Sequence, residues 1–162
     1  MSNEYSFDPA ELANIQIEGE MATKTTPIPE KGNPYPAQIR EVTGRAGEST
    51  NNSGEARKWQ SLVVSFNVEV GPDIAAELGR EPGAPDPVSS MMLFLDLDES
   101  GTGLALGTNK NVKLGKLREA VGQNGPGPWT PKMLEGQPCR VIISHNVRDG
   151  DTFDQVSKVL PL

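Results

Sequence analysis

Arg57-Lys-Trp-Gln-Ser-Leu-Val-Val-Ser-Phe-Asn-Val-Glu-Val70 carries the clearest periodicity in the chain. Leu62, Val64, Phe66, Val68 and Val70 fall on every second position, with Ser61, Ser65, Asn67 and Glu69 between them. That period of two belongs to a β-strand with one buried face. The mouth of the strand reads differently. Arg57, Lys58 and Trp59 place two cations and an indole directly after the Gly/Ser/Asn-rich run 46–54. A flexible loop that brings positive charge and one flat ring onto a sheet is a common way to hold phosphates and unpaired bases. The plainer alternative is that Trp59 caps the core and the cations are solvated.

Working outward, Tyr35, Ala37, Ile39 and Val42 mark a first strand, with Gln38 and Arg40 on its other side, and 44–54 is expected to be a long polar loop. Beyond Gly71-Pro72 a short helix capped by Asp73 is expected, then a Pro/Gly connector over 80–87. A third strand spans 89–97. It is apolar on both sides from Met91 to Leu95, which predicts that both of its faces are covered.

Leu114, Leu117 and Val121 recur at three- and four-residue spacing and predict a helix over 111–121, stopped by Gly122. A short turn is expected at 131–134. Two last strands, 139–147 and 152–160, flank Arg148-Asp149-Gly150-Asp151, whose Asp-Gly pair is a strong hairpin signal. The expected architecture is therefore mostly β: a five-stranded OB-fold-like barrel, with one helix between strands 3 and 4 and an extended N-terminal arm.

The chain of 162 residues suits one body, 31–162, behind an acidic arm, 1–30. The formal charge of −7 is unevenly spread. The arm holds six acids (Glu4, Asp8, Glu11, Glu18, Glu20, Glu30) against Lys24 alone, and the remainder is nearly neutral with 16 acids and 14 bases. A neutral body can still carry a basic groove, because binding answers to local potential. Asp8-Pro9 suits a capped first turn. Tyr5, Phe7 and Leu12 give the arm apolar anchors, suited to a partner or to the chain's own basic face, with disorder as the alternative. Cys139 alone excludes an intramolecular disulfide and fits a small core residue in a reducing compartment. With no long apolar run and no secretion signal, a soluble cytoplasmic protein is expected.

Several segments also resemble a known family. In order they are Gly32 with Tyr35-Pro-Ala-Gln-Ile39, Leu62 to Val68, Leu114-Gly-Lys-Leu-Arg-Glu-Ala-Val-Gly122, Leu134-Glu-Gly-Gln-Pro-Cys-Arg-Val-Ile-Ile143 and Val159-Leu-Pro161. Together they resemble small phage proteins of replication and recombination gene clusters, regarded as single-stranded DNA-binding proteins of OB-fold type. The resemblance spans roughly 29–161 and is one of hydrophobic spacing and glycines. It implies sequence-nonspecific binding of single-stranded DNA and an accessory role in phage DNA replication or recombination, inside the host cytoplasm. Such binders usually end in an acidic tail that recruits replication proteins, whereas here the acidic segment comes first and the chain closes on Val-Leu-Pro-Leu. The arm is thus the segment expected to meet a replication or recombination protein. The connector 71–87 is longer than the family pattern needs.

Catalysis has little support, and no enzyme, cofactor or metal is expected. His145 shares a strand side with Val141, Ile143 and Val147, and one His with one Cys cannot build a thiolate or imidazole metal site. Asp96, Asp98, Ser100 and Gly101 copy the start of a calcium loop, but Gly107 stands where the bidentate glutamate is required. Gly101, Gly103 and Gly107 lack the spacing of a phosphate cradle.

Single-strand binding needs cations along a backbone and rings on which bases stack. The candidate cations are Arg40, Arg45, Arg57, Lys58, Lys113, Lys116 and Arg140. The candidate rings are Tyr35, Trp59 and Trp129, with Phe153 a further ring; Phe66 and Phe94 are assigned to the core. The competing class is a phage structural protein, a capsid decoration or tail component that uses its arm in assembly, and a homo-oligomer fits either class.

Overall fold

The computed structural model describes residues 8–162. Of the arm's expected anchors, Tyr5 and Phe7 lie outside the described residues, as does Glu4. Strands β1 (Tyr35–Thr50), β2 (Ala56–Val68), β3 (Val88–Phe94), β4 (Pro138–Arg148) and β5 (Asp151–Leu160) form one antiparallel sheet ordered β3-β2-β1-β4-β5. Helix α1 (Gly71–Glu77) follows β2, and α2 (Val112–Ala120) lies between β3 and β4. Short 3-10 turns cover Pro9–Asn14 and Pro131–Leu134.

Alternation builds the core. Leu62, Val64, Phe66 and Val68 of β2 are buried against Ile39 and Val42 of β1, Leu93 of β3 and Val141 and Ile143 of β4. Leu114 and Leu117 of α2 close the interior. Burial of each such side chain contributes roughly 1.5–3 kcal/mol. Cys139 is buried among them as expected, and that burial raises its thiol pKa to about 11.

Three departures from the sequence reading matter. First, the expected barrel is not closed. No ladder joins β3 to β5 among the described residues. Side chains cross there instead, with Ser89 Oγ donating to Asp154 Oδ1 over 2.6 Å.

Second, the run 44–54 is mostly strand. β1 and β2 stay paired from Gly44↔Leu62 out to Thr50↔Ala56, so a long hairpin leaves the body. Main-chain pairing asks nothing of side-chain polarity, which is why polar residues concealed it. Only the tip turns, where Asn51 Oδ1 accepts from the Ser53 and Glu55 N–H groups at 3.0 and 2.9 Å.

Third, β3 stops at Phe94 and its outer face is uncovered. Phe94 is 66% exposed and Met92 is 41% exposed, so Phe94 is not a core residue. Past β3, Leu97 and Leu104 pair across a tight excursion, and Asn111 Nδ2 holds it to α2 through the Asp96 and Ala105 carbonyls. Within it the Asp98 carboxylate accepts from the Ser100 hydroxyl and from main-chain N–H groups, which lower its pKa.

The β4–β5 hairpin is as the sequence reads. Asp149 and Gly150 both have positive φ, 50° and 82°, the requirement of a type I′ turn. The 3-10 turn at Pro9–Asn14 is capped by Asp8, which accepts from the Ala10 N–H at 3.0 Å. The arm's root is bound into the body. Ile28 is buried, its N–H donates to Asp154 Oδ2 at 2.8 Å, and its carbonyl lies 2.7 Å from His145 Nε2. Glu30 accepts from the His145 N–H at 2.9 Å. Among the described residues no helix is long and apolar enough to cross a membrane.

Candidate nucleic-acid interface

On β2 the even positions from Leu62 to Val68 face the core, so Arg57, Trp59, Ser61, Val63 and Ser65 face outward. Register places Arg45 and Phe94 on either side of Ser61, and Gly47 beside Trp59. The indole lies directly on Gly47. A Cβ at that glycine would sit 2.6 Å from the ring, so only glycine admits this packing. On its other flank the indole meets Phe94 edge-on, centroids 6.0 Å apart and planes at 80°. Such aromatic pairs contribute about 0.5–1.5 kcal/mol beyond burial.

The outer face continues into a cleft of about 660 Å³. Val63 of β2, Ser90 and Met92 of β3 and Phe153, Gln155 and Ser157 of β5 line it, and Arg45, Arg148 and Lys113 stand at it. Three acids, Asp149, Asp151 and Asp154, offset those cations. Asp154 is already engaged by Ser89 and the Ile28 N–H. Among the described residues no ion pair engages Arg45, Arg57, Lys58, Lys113 or Arg148.

The candidates therefore divide. Arg45, Arg57 and Trp59 share the outward side of one hairpin, and Lys58 lies opposite Glu48 near its tip. Lys113, at the start of α2, borders the cleft, whereas exposed Lys116 does not. Arg40 is exposed at the β1 bulge, between Ile39 and Glu41.

Three candidates are held elsewhere. Tyr35 is 3% exposed and its hydroxyl shares its one proton between the Pro29 and Lys31 carbonyls, so its ring offers no face to a base. Burial, helped by the nearby Glu77 charge, raises its pKa. Trp129 donates to Gln123 Oε1 at 2.8 Å and carries the Arg118 guanidinium 4.2 Å from its ring centroid, where it packs on the core. It plugs the end of α2, with one ring face taken. Arg140 donates through Nε to the Pro161 carbonyl at 2.9 Å and fastens the C-terminus.

Sequence reasoning missed Phe94, Met92 and Arg148. Phe94 and Met92 have the parity of outward residues in a strand, but the apolar run at 91–95 hid that alternation. Arg148 was legible only as part of a turn.

No protein-family model matches this chain, and no curated protein matches it, so the site rests on its geometry.

Proposed function

We propose that this protein binds single-stranded DNA without sequence specificity, along the outer face of β2 and β3 and through the cleft beside β5, as an accessory of phage DNA replication or recombination. The observation that carries the reading is the Trp59–Phe94 pair on the outward side of the sheet, its indole half-buried and its Phe94 ring 66% exposed, flanked by Arg45 and Arg57. Each stacked ring offers roughly 1–3 kcal/mol to a base of any identity, and the cations meet the backbone. The strand order and the place of α2 agree with the OB-fold, whose strand 2–3 face and 1–2 and 4–5 loops are its usual binding surface. That correspondence and the resemblance of the segments above support the reading by analogy.

The test is an oligo-dT titration followed by tryptophan fluorescence at low and high salt. Quenching that weakens steeply with salt, and that is lost on Trp59→Phe, supports the proposal. Unchanged fluorescence and no retardation of the oligonucleotide at low salt defeats it.

A second reading rests on the arm. Leu12, Ile15, Ile17 and Met21 are half exposed or nearly so, an uncovered apolar series beside Glu11, Glu18 and Glu20. Such an arm suits a protein partner, either a replication protein or a neighbouring subunit in an assembled particle. Light scattering that finds large stable assemblies, together with no DNA binding, favours the structural role.

A further inference from the structure

Ser61 is the one buried side chain among the described residues whose polar atom has no hydrogen-bond partner. It is 1% exposed although it sits on the outward side of β2. Its neighbours explain the burial: Arg45 and Phe94 lie beside it across the sheet, and Trp59 and Val63 flank it along the strand. A small hydroxyl residue thus lies covered among larger side chains on the outward side of the sheet. An orphaned buried hydroxyl costs free energy in the unliganded protein, and a core filled for stability alone would carry an apolar residue here. Ser61 is also a neighbour of both rings proposed to stack bases, two positions from Trp59 along β2 and paired with Phe94 on β3.

We infer that the Trp59–Phe94 pair is the closed form of a base pocket, and that Ser61 Oγ hydrogen-bonds the edge of a base admitted between the two rings. The inference rests on the single-strand reading above and deepens it. Stacking on Trp59 and Phe94 is indifferent to base identity. A hydroxyl at a fixed depth, able to donate and accept, is not, because it engages only base edges that present a group at that depth. The pocket therefore adds a base preference at one nucleotide to binding that is otherwise sequence-tolerant. Arg45, across from Ser61, is placed to meet the phosphate of the same nucleotide.

The experiment compares the whole wild-type chain with Ser61→Ala in titrations against oligo-dT, oligo-dC and oligo-dA at one fixed salt, with thermal melting of both proteins. The expected result is an unchanged or higher melting temperature for the variant, because the orphan is removed. The preferred homopolymer loses about five-fold in affinity, the size of one neutral hydrogen bond. The three homopolymers become more nearly equal, and the salt slope is unchanged, since no charge is removed. Equal affinities for variant and wild type on all three, with wild type binding well, overturns the role of Ser61 and leaves the single-strand reading standing. Wild-type protein that binds none of the three overturns both. Loss of affinity on all three by the same factor assigns Ser61 to holding the rings and overturns base reading.

Discussion

Ser89 Oγ and Asp154 Oδ1 meet at 2.6 Å between the two outer strands of the sheet, while Asp154 Oδ2 accepts from the main chain of Ile28. One carboxylate thus holds together β3, β5 and the root of the arm. Asp154→Ala strands the buried Ser89 hydroxyl and the Ile28 N–H together. The expected loss is about 2–4 kcal/mol, since hydrogen bonds to charged groups are worth more than neutral ones. Urea unfolding measures it, and limited proteolysis should cut earlier around Thr25 and Thr26. Ser89→Ala, which removes a single donor, should cost less than half as much. Equal stability of Asp154→Ala and wild type contradicts this account of the seam.

The two tryptophans should behave oppositely. Trp59→Ala is expected to weaken oligo-dT binding by about ten- to a hundred-fold, as for loss of a stacking ring, with a small change in melting. Trp129→Ala should lower the melting temperature by several degrees, because it removes a ring packed on the core and bridged to Arg118 and Gln123, and should leave binding nearly intact.

Gly47 offers a test that deletes neither a ring nor a charge. Its Cβ would stand 2.6 Å from the Trp59 indole, so Gly47→Ala must displace the ring. Weaker DNA binding with a shifted tryptophan emission maximum is the expected outcome. Wild-type binding by this variant means that the seated position of the indole is immaterial.

Charge at the interface is read through salt. Arg45→Gln and Arg57→Gln should each reduce the slope of log affinity against log salt by about 0.7 to 1 and weaken binding alike on different sequences. Arg140→Gln, whose side chain is tied to Pro161, should leave the slope unchanged.

Alkaline pH should destabilise the fold through Cys139 and Tyr35. Both have pKa values raised by burial, Cys139 from 9.0 to about 11. A group whose folded pKa lies above its unfolded value is fully stabilising below the unfolded pKa, and that stability is lost as pH climbs through the folded one. For Cys139 the window is pH 9 to 11, with about 2–3 kcal/mol at stake. Urea midpoints should fall across that range, and Cys139→Val should flatten the decline. The same burial makes the native thiol unreactive toward alkylating reagents at pH 8.

Much of the body was legible in the residues. Strict alternation from Leu62 to Val68, the apolar stripe of Leu114 and Leu117, and the Asp149-Gly150 turn are local patterns with one geometric solution each, and each element stands where its pattern predicts. The candidate site was legible in part. Arg57, Lys58 and Trp59 were named from the loop-to-strand transition and Arg45 as a cation near the predicted sheet and loops, though the loop proved to be a ladder. Tyr35 and Trp129 look as suitable for stacking as Trp59 when only residue type and neighbours are known. Tyr35 is buried by chain that packs over it, and Trp129 is held against the core by Arg118 and Gln123; residue type alone shows neither.

Which residues alternate, where the chain must turn, and that a nearly neutral body follows an acidic arm are all readable from the residues alone, because periodicity, turn chemistry and charge are properties of neighbours along the chain. That Phe94 comes round beside Trp59, that Ser61 ends up buried next to them without a partner, and that Asp154 spans the seam from β5 to Ser89 and Ile28 follow from the packed fold. Those contacts join positions tens of residues apart. They depend on strand register and on the curvature of the whole sheet, which follow from the sum of all pairings and from no single stretch.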